Sequence, residues 1–70
     1  MTTDAPLLTT RETEVLRLVV AGFSTAQIAD ELLITVNTVE SHRKHLYHKM
    51  GVKRVGEAIR VAREWALLGE

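Results

Sequence analysis

The chain has 70 residues, and its nine basic and nine acidic side chains leave no formal net charge. A chain of this length forms one small domain, and its lack of cysteine excludes disulfides and thiolate metal sites. No apolar stretch approaches the roughly 18 residues of a membrane span, and the first residues lack the pattern of a signal peptide. We therefore expect a disordered lead-in over residues 1–7 and a domain over residues 8–70.

The neutral total conceals an uneven distribution of charge. Residues 1–34 carry two basic and five acidic side chains, and residues 55–70 carry two and three. Residues 35–54 carry five basic side chains against one acidic side chain, and all three histidines also lie there. A basic segment in an otherwise acidic chain is typical of a nucleic-acid binding surface.

The first helix is indicated by a capping box. Thr9 precedes Glu12 by three residues, a spacing at which each side chain can bond the other residue's backbone amide. An apolar face follows, and Gly22 can adopt the left-handed conformation that ends a helix. The sequence predicts a helix over residues 9–21.

The second helix opens with another capping box. Ser24 and Gln27 have the required spacing, and the short apolar stripe that follows predicts a helix over residues 24–33. We expect Ile34 to form the turn and Thr35 to cap a third helix. Two helices with so short a link form the helix-turn-helix arrangement.

The third helix is predicted over residues 36–50, with Gly51 as its terminator. At 100° per residue, three apolar side chains fall within about 60° of Val39 and with it predict a buried stripe: Val36, Leu46 and Met50. The opposite side carries only groups that can form hydrogen bonds: Asn37, Glu40, Ser41, Lys44, His45 and His48. This helix therefore has one face for the core and one face for a polar partner.

The fourth helix is predicted over residues 55–68, and its apolar face spans about half of its circumference. Three small helices do not easily cover so wide a face, which favours a homodimer. The alternative is cover by an irregular C-terminus or by a neighbouring domain. The expected dimer contacts are Ala58, Val61, Ala62, Trp65 and Leu68.

Catalysis and metal binding are not expected from this sequence. It contains no glycine-rich loop and no nucleophile in a recognisable setting, and Ser41 and His45 lie on an exposed helix face without an oxyanion site. His42, His45 and His48 are spaced by three, but their directions around the helix diverge too far to share a metal ion. We expect no enzyme, no cofactor and no metal.

A set of residues distributed along nearly the whole chain carries a family pattern: Leu8-Thr9-Thr10-Arg11-Glu12, Glu14-Val15-Leu16, Gly22-Phe23-Ser24, Gln27-Ile28-Ala29, Leu32, Thr38-Val39, His42 and Leu46 through Val52. Over residues 8–68 the chain resembles the LuxR/NarL-type regulator domain. Residues 45–52 are most similar to the C-terminal domains of large ATP-dependent activators of the MalT type.

The resemblance implies an all-α, four-helix DNA-binding domain of a bacterial transcriptional regulator that acts in the cytoplasm, at the nucleoid. Its second and third helices would read double-stranded DNA, with the third in the major groove. The fourth would form a homodimer, either in solution or only on DNA. A separate N-terminal sensor domain would lie outside this chain, and no membrane is implied.

The contacts expected with DNA fall into two groups. Base edges would be read by Asn37, Glu40, Ser41, Lys44, His45 and His48. Phosphates would be bound by Ser24, Thr25, Thr35, Thr38, Arg43, Lys49, Lys53 and Arg54.

The chain departs from the family pattern in two places. Where the family often has lysine the chain has Glu40, which can accept from cytosine N4 or simply face water at a helix N-terminus. Where the family often has a polar cap followed by arginine, the chain has Arg54 and Val55. Base preference and the start of the fourth helix are the features that these departures affect.

Two other interpretations of the sequence compete with that of a LuxR-type DNA-binding domain. A sigma-factor promoter-reading domain shares several of these residues, but the exit of the third helix at Lys49-Met50-Gly51-Val52 and the well-formed fourth helix argue against it. A helical protein-interaction module without DNA binding would need apolar anchors on the outer face of residues 37–48, which has none.

Overall fold

The computed structural model describes residues 8–69, with side chains as far as Trp65. Four helices follow one another: α1 (Thr10–Val20), α2 (Thr25–Leu32), α3 (Val36–Met50) and α4 (Val55–Gly69). No strand occurs in this part of the chain, so the predicted all-α architecture is confirmed. The expected lead-in over residues 1–7 and the side chain of Leu68 lie outside the described residues.

Side-chain caps explain where the first three helices begin. Glu12 N donates to Thr9 Oγ1 (3.0 Å) and Thr9 N donates to Glu12 Oε1 (2.9 Å), which completes the predicted capping box of α1. Ser24 and Gln27 form the same pair of bonds at the start of α2, at 3.1 and 2.8 Å. At α3, Thr35 Oγ1 accepts from Thr38 N at 3.2 Å. These bonds satisfy amides that the first turn of each helix leaves without a carbonyl partner.

Helix α1 ends as predicted, at a glycine with positive φ. Gly22 has φ +96°, Phe23 N donates to Leu18 O at 3.0 Å, and Gly22 N donates to Val19 O at 3.0 Å. This pair of bonds is the Schellman arrangement that satisfies the last carbonyls of a helix.

Helix α2 ends differently from the prediction, because Leu33 rather than Ile34 makes the reversal. Leu33 has φ +60° and ψ 43°, in the left-handed region, and 89% of its surface is exposed. Ile34 N then donates to Ala29 O at 3.0 Å, and Ile34 is half-buried. The turn thus points Ile34 toward the core while it leaves Leu33 in solvent.

The core gathers side chains from all four helices. Five of the described side chains have no exposed surface: Val15, Ile28, Val39, Leu46 and Ala58. Helix α3 packs on α1, α2 and α4, so its inner face is the centre of the domain. Its predicted stripe is correct for Val39 and Leu46, and Met50 is half-buried, but Val36 is 41% exposed. Val36 is the first residue of α3, where no neighbouring turn covers it.

Helix α4 lies against α1 and α3 and uses part of its wide apolar face inside the domain. Ala58 is fully buried, and Ile59, Ala62 and Trp65 pack against the core. Val61 is half-buried without belonging to that packed group. The intramolecular core therefore accounts for much of the surplus apolar surface of this helix.

Candidate nucleic-acid interface

The face of α3 that points away from the core is exposed to solvent. Each of the six side chains predicted to read bases is exposed: Asn37, Glu40, Ser41, Lys44, His45 and His48. Residues 33–35 separate this helix from α2, so the two form a helix with a short turn and a second helix whose outer face is polar. That arrangement can present hydrogen-bonding groups to a groove of duplex DNA.

The first turns of α2 and α3 present hydroxyl groups at the N-termini of both helices. Ser24 is exposed and Thr25 half-buried at the start of α2, and Thr35 and Thr38 are exposed at the start of α3. The two threonine hydroxyls of α3 bond each other at 2.9 Å. Helix N-termini carry partial positive charge, so both turns are suited to an anion.

Arg43 does not extend freely into solvent but connects α3 to α2. Its Nη1 donates to Thr25 Oγ1 at 2.5 Å, and its Nη2 donates to Tyr47 Oη at 2.8 Å. The guanidinium carbon lies 5.4 Å from the centre of the Tyr47 ring, within the range of a cation–π contact. Two predicted phosphate contacts, Thr25 and Arg43, are thereby brought into one cluster.

Lys49 is held by a buried carboxylate. Its Nζ lies 2.7 Å from Glu12 Oε1, and Glu12 is only 5% exposed although it also takes part in the α1 capping box. The hydrogen bond from Lys49, followed by that from the Thr9 amide, lowers the pKa of Glu12 below its usual value. A lysine in this position stabilises the packing of α1 on α3, so its removal affects folding as well as any phosphate contact.

Lys53 and Arg54 are exposed in the loop before α4. The backbone amides of both residues donate to Glu57 Oε1, at 3.0 and 3.3 Å, and lower the pKa of Glu57. Glu57 thus caps α4 from inside the helix, whereas the family's usual polar cap would stand at Arg54. This contact leaves the long side chains of Lys53 and Arg54 to other partners.

The remaining predicted residues are placed as follows. Ala58 is fully buried and offers no surface to a second chain, while Val61, Ala62 and Trp65 are half-buried. Within residues 8–69, no three histidine, aspartate or glutamate side chains form a group that could hold a metal ion.

Sequence reasoning missed the Glu12–Lys49 pair and the role of Tyr47. Glu12 and Lys49 are 37 residues apart, and nothing local signals their contact. The only sequence signal was an acidic residue on the inner side of α1 and a basic residue in the last turn of α3. Tyr47 lies four residues after Arg43, a spacing at which side chains on a helix meet.

The fold and this surface together define a helix-turn-helix DNA-binding domain. The match of a family model agrees: residues 6–62 match the GerE model, described as bacterial regulatory proteins of the luxR family. The chain belongs to this family and is the DNA-binding domain of a transcriptional regulator. The MalT-like subgroup suggested by residues 45–52 is not supported by these comparisons.

Curated relatives give the same assignment. The oxygen regulatory protein NreC of Staphylococcus aureus, in strains JH9, JH1 and NCTC 8325, is 38% identical over 68 residues. The alignment covers 96% of this chain but 31% of each relative. The chain therefore spans about a third of the length of these relatives.

No helix in residues 8–69 is long and apolar enough to cross a membrane.

Proposed function

We propose that α3 enters the major groove of double-stranded DNA and that its outer face reads the base sequence. The observation that carries the proposal is that all six polar side chains are exposed, on a helix whose opposite face holds the centre of the core. Because the inner face is fixed by packing, the outer face is presented rigidly. Lys44 is suited to guanine O6 and N7, and Glu40 to cytosine N4.

Phosphate contacts would come from groups that flank this face on both sides. The hydroxyls of Ser24, Thr35 and Thr38 and the cluster of Thr25 and Arg43 lie at the first turns of α2 and α3 or bridge the two helices. Lys53 and Arg54 follow the other end of α3. Phosphates supply most of the affinity in such complexes, and the base edges supply the specificity.

Two lysine variants distinguish base contacts from phosphate contacts. A duplex selected from a random pool and its scrambled version are titrated by fluorescence anisotropy at several salt concentrations. Lys44→Ala is expected to reduce the preference for the selected duplex about tenfold. Lys53→Ala is expected to weaken binding to both duplexes alike and to lower the salt slope by about one.

Lys53 is a better probe of phosphate contacts than Lys49, because Lys49 is paired with Glu12 and its removal would also affect folding. Arg17→Ala is the matched control, since Arg17 is exposed on α1 and its loss changes the net charge by the same amount. An equal loss on both duplexes for Lys44→Ala and Lys53→Ala would contradict the division into two kinds of contact. Failure of the unaltered chain to bind any duplex at low salt would overturn the DNA-reading role itself.

The domain would act within a larger, dimeric regulator. Relatives about three times as long support a further sensor domain in the complete protein. Val61 of α4, which is half-buried but does not pack against the core, supports a homodimer contact. The half-buried Ala62 and Trp65 would border this contact, and the buried Ala58 is left out of it. Because its target would be the bacterial chromosome, the regulator would work in the cytoplasm, and its role is binding rather than catalysis.

A further inference from the structure

Tyr47 is a polar residue near the DNA-facing surface that the proposed function has not used. It is half-buried, and its ring packs against the core. Its hydroxyl accepts from Arg43 Nη2 at 2.8 Å, and the guanidinium carbon lies 5.4 Å from the ring centre. The tyrosine therefore contacts the guanidinium through both its ring and its oxygen.

The other end of the same guanidinium is fixed from a second helix. Nη1 donates to Oγ1 of Thr25, the first residue of α2. An arginine side chain is usually free to adopt many rotamers, and ordering it costs about 2 kcal/mol. Here Thr25 and Tyr47 hold both terminal nitrogens before any ligand binds. Much of the free-energy cost of ordering the arginine side chain is therefore incurred when the domain folds, and not when it binds.

The held guanidinium keeps the capacity to bind an anion. Two of its five N–H donors serve Thr25 and Tyr47, which leaves three for a further acceptor. Among the described side chains, no carboxylate lies within ion-pair distance of Arg43. The cluster also lies at the N-terminus of α2, where the helix amides favour negative charge.

We propose that Tyr47 is a positioning residue, which together with Thr25 holds Arg43 in place to bind a phosphodiester of the DNA backbone. This inference rests on the proposed DNA-binding function and adds to it the residue that orients one phosphate contact. Because the contact is made to the backbone, it strengthens binding to every sequence.

A double-mutant cycle tests the proposal, with affinity for the selected and scrambled duplexes as the readout. Tyr47→Phe removes the hydroxyl but keeps the ring in the core, and it is expected to weaken binding to both duplexes about threefold to tenfold. Arg43→Ala is expected to weaken binding more and to lower the salt slope by about one. In the Arg43→Ala background, Tyr47→Phe should have no further effect.

Two controls separate positioning from a general structural role. Thermal unfolding of Tyr47→Phe should match that of the unaltered chain, and Thr13→Val should leave binding unchanged, because Thr13 donates to Thr9 O within α1. In contrast, Thr25→Val should weaken binding to both duplexes as Tyr47→Phe does. In the Arg43→Ala background it should cause no further loss of affinity.

Neutral methylphosphonate groups, introduced one at a time along the selected duplex, locate the contact. At one or more positions the neutral group should weaken DNA binding by the unaltered chain and leave binding by Arg43→Ala unaffected. Normal DNA binding by Tyr47→Phe, or an equal loss with and without Arg43, would overturn the role of Tyr47 while leaving the DNA-binding function intact. Absence of binding by the unaltered chain would instead refute the function on which it rests.

Discussion

At the scale of single residues, the Glu12 side chain takes part both in a helix cap and in a contact between two helices. Its Oε1 accepts from the Thr9 amide at 2.9 Å and from Lys49 Nζ at 2.7 Å, while its own amide donates to Thr9 Oγ1. One oxygen thereby caps α1 and pairs with α3. A carboxylate that is 5% exposed tolerates burial only because both partners are present.

The depressed pKa of Glu12 predicts a loss of stability in acid. A carboxyl whose pKa is lower in the folded state contributes stability above its unfolded pKa of 4.5, and loses it as the pH falls toward the folded value. Glu12→Gln is expected to lower the free energy of unfolding by about 1–3 kcal/mol at pH 7. The difference should shrink below about pH 4, as measured by urea unfolding across this range.

Glu14→Gln is the matched control for that experiment, because Glu14 is exposed on the same helix and its one ion pair among the described residues is with the half-buried Arg11, at 3.2 Å. Exposed pairs of this kind contribute little, about 0–1 kcal/mol. Equal losses for the two variants, or a difference that persists in acid, would show that the Glu12 carboxylate is not the stabilising group. Glu57, whose pKa is lowered as well, accounts for some acid sensitivity that remains in Glu12→Gln.

At the scale of helices, the ends of α1 and α2 solve the same problem with different residues. At the end of each helix the backbone reverses through a residue in the left-handed conformation. This residue is Gly22 after α1 and Leu33 after α2. The left-handed conformation costs leucine about 1–2 kcal/mol, whereas glycine adopts it without this steric cost. Since Leu33 is 89% exposed, little burial offsets that cost.

Leu33→Gly is therefore expected to stabilise the domain. The gain should be about 0.5–1 kcal/mol, or a rise of several degrees in the midpoint of thermal unfolding. Gly22→Ala is the reciprocal variant: an added Cβ meets nothing within 4 Å, so its expected loss of about 1 kcal/mol comes from the backbone alone. Calorimetry that finds Leu33→Gly destabilising would show that the leucine side chain makes a contact worth more than its strain.

The same elements show what local sequence can and cannot predict. Thr9, Ser24 and Thr35 cap their helices as expected, because a cap depends on residues three apart. Leu33 was not predicted as the turn residue, because propensity disfavours leucine with positive φ and only the packing of its neighbours imposes it. The exposed side of α3 was predicted correctly from its period, but the bond from Arg43 to Thr25 joins two helices and has no local signal.

At the scale of the whole molecule, the wide apolar face of α4 was predicted to mark a dimer contact. The structure divides that face: Ala58, Ile59, Ala62 and Trp65 serve the domain's own core, and Val61 remains half-buried outside that packed group. Helical periodicity alone cannot make this division, because it counts apolar residues without showing which helices cover them.

Val61 is consequently the position at which dimerisation can be tested without damage to the core. If α4 forms a homodimer, Val61→Glu should shift sedimentation equilibrium toward the monomer while the unfolding midpoint at low concentration changes little. Thr10→Glu adds the same charge at an exposed position of α1 and should leave the association unchanged. A chain that is monomeric both alone and on a palindromic duplex, before any substitution, would contradict the dimer.

The oxygen shared by Thr9 and Lys49 also bears on how the domain opens. The first turn of a helix ordinarily frays independently, and its amides exchange with solvent by local opening. Here the cap of α1 is tied to the last turn of α3 through Glu12, so these two helix ends should open together. Hydrogen exchange at the Thr9 and Glu12 amides would then report on the opening of the last turn of α3 as well as on the start of α1.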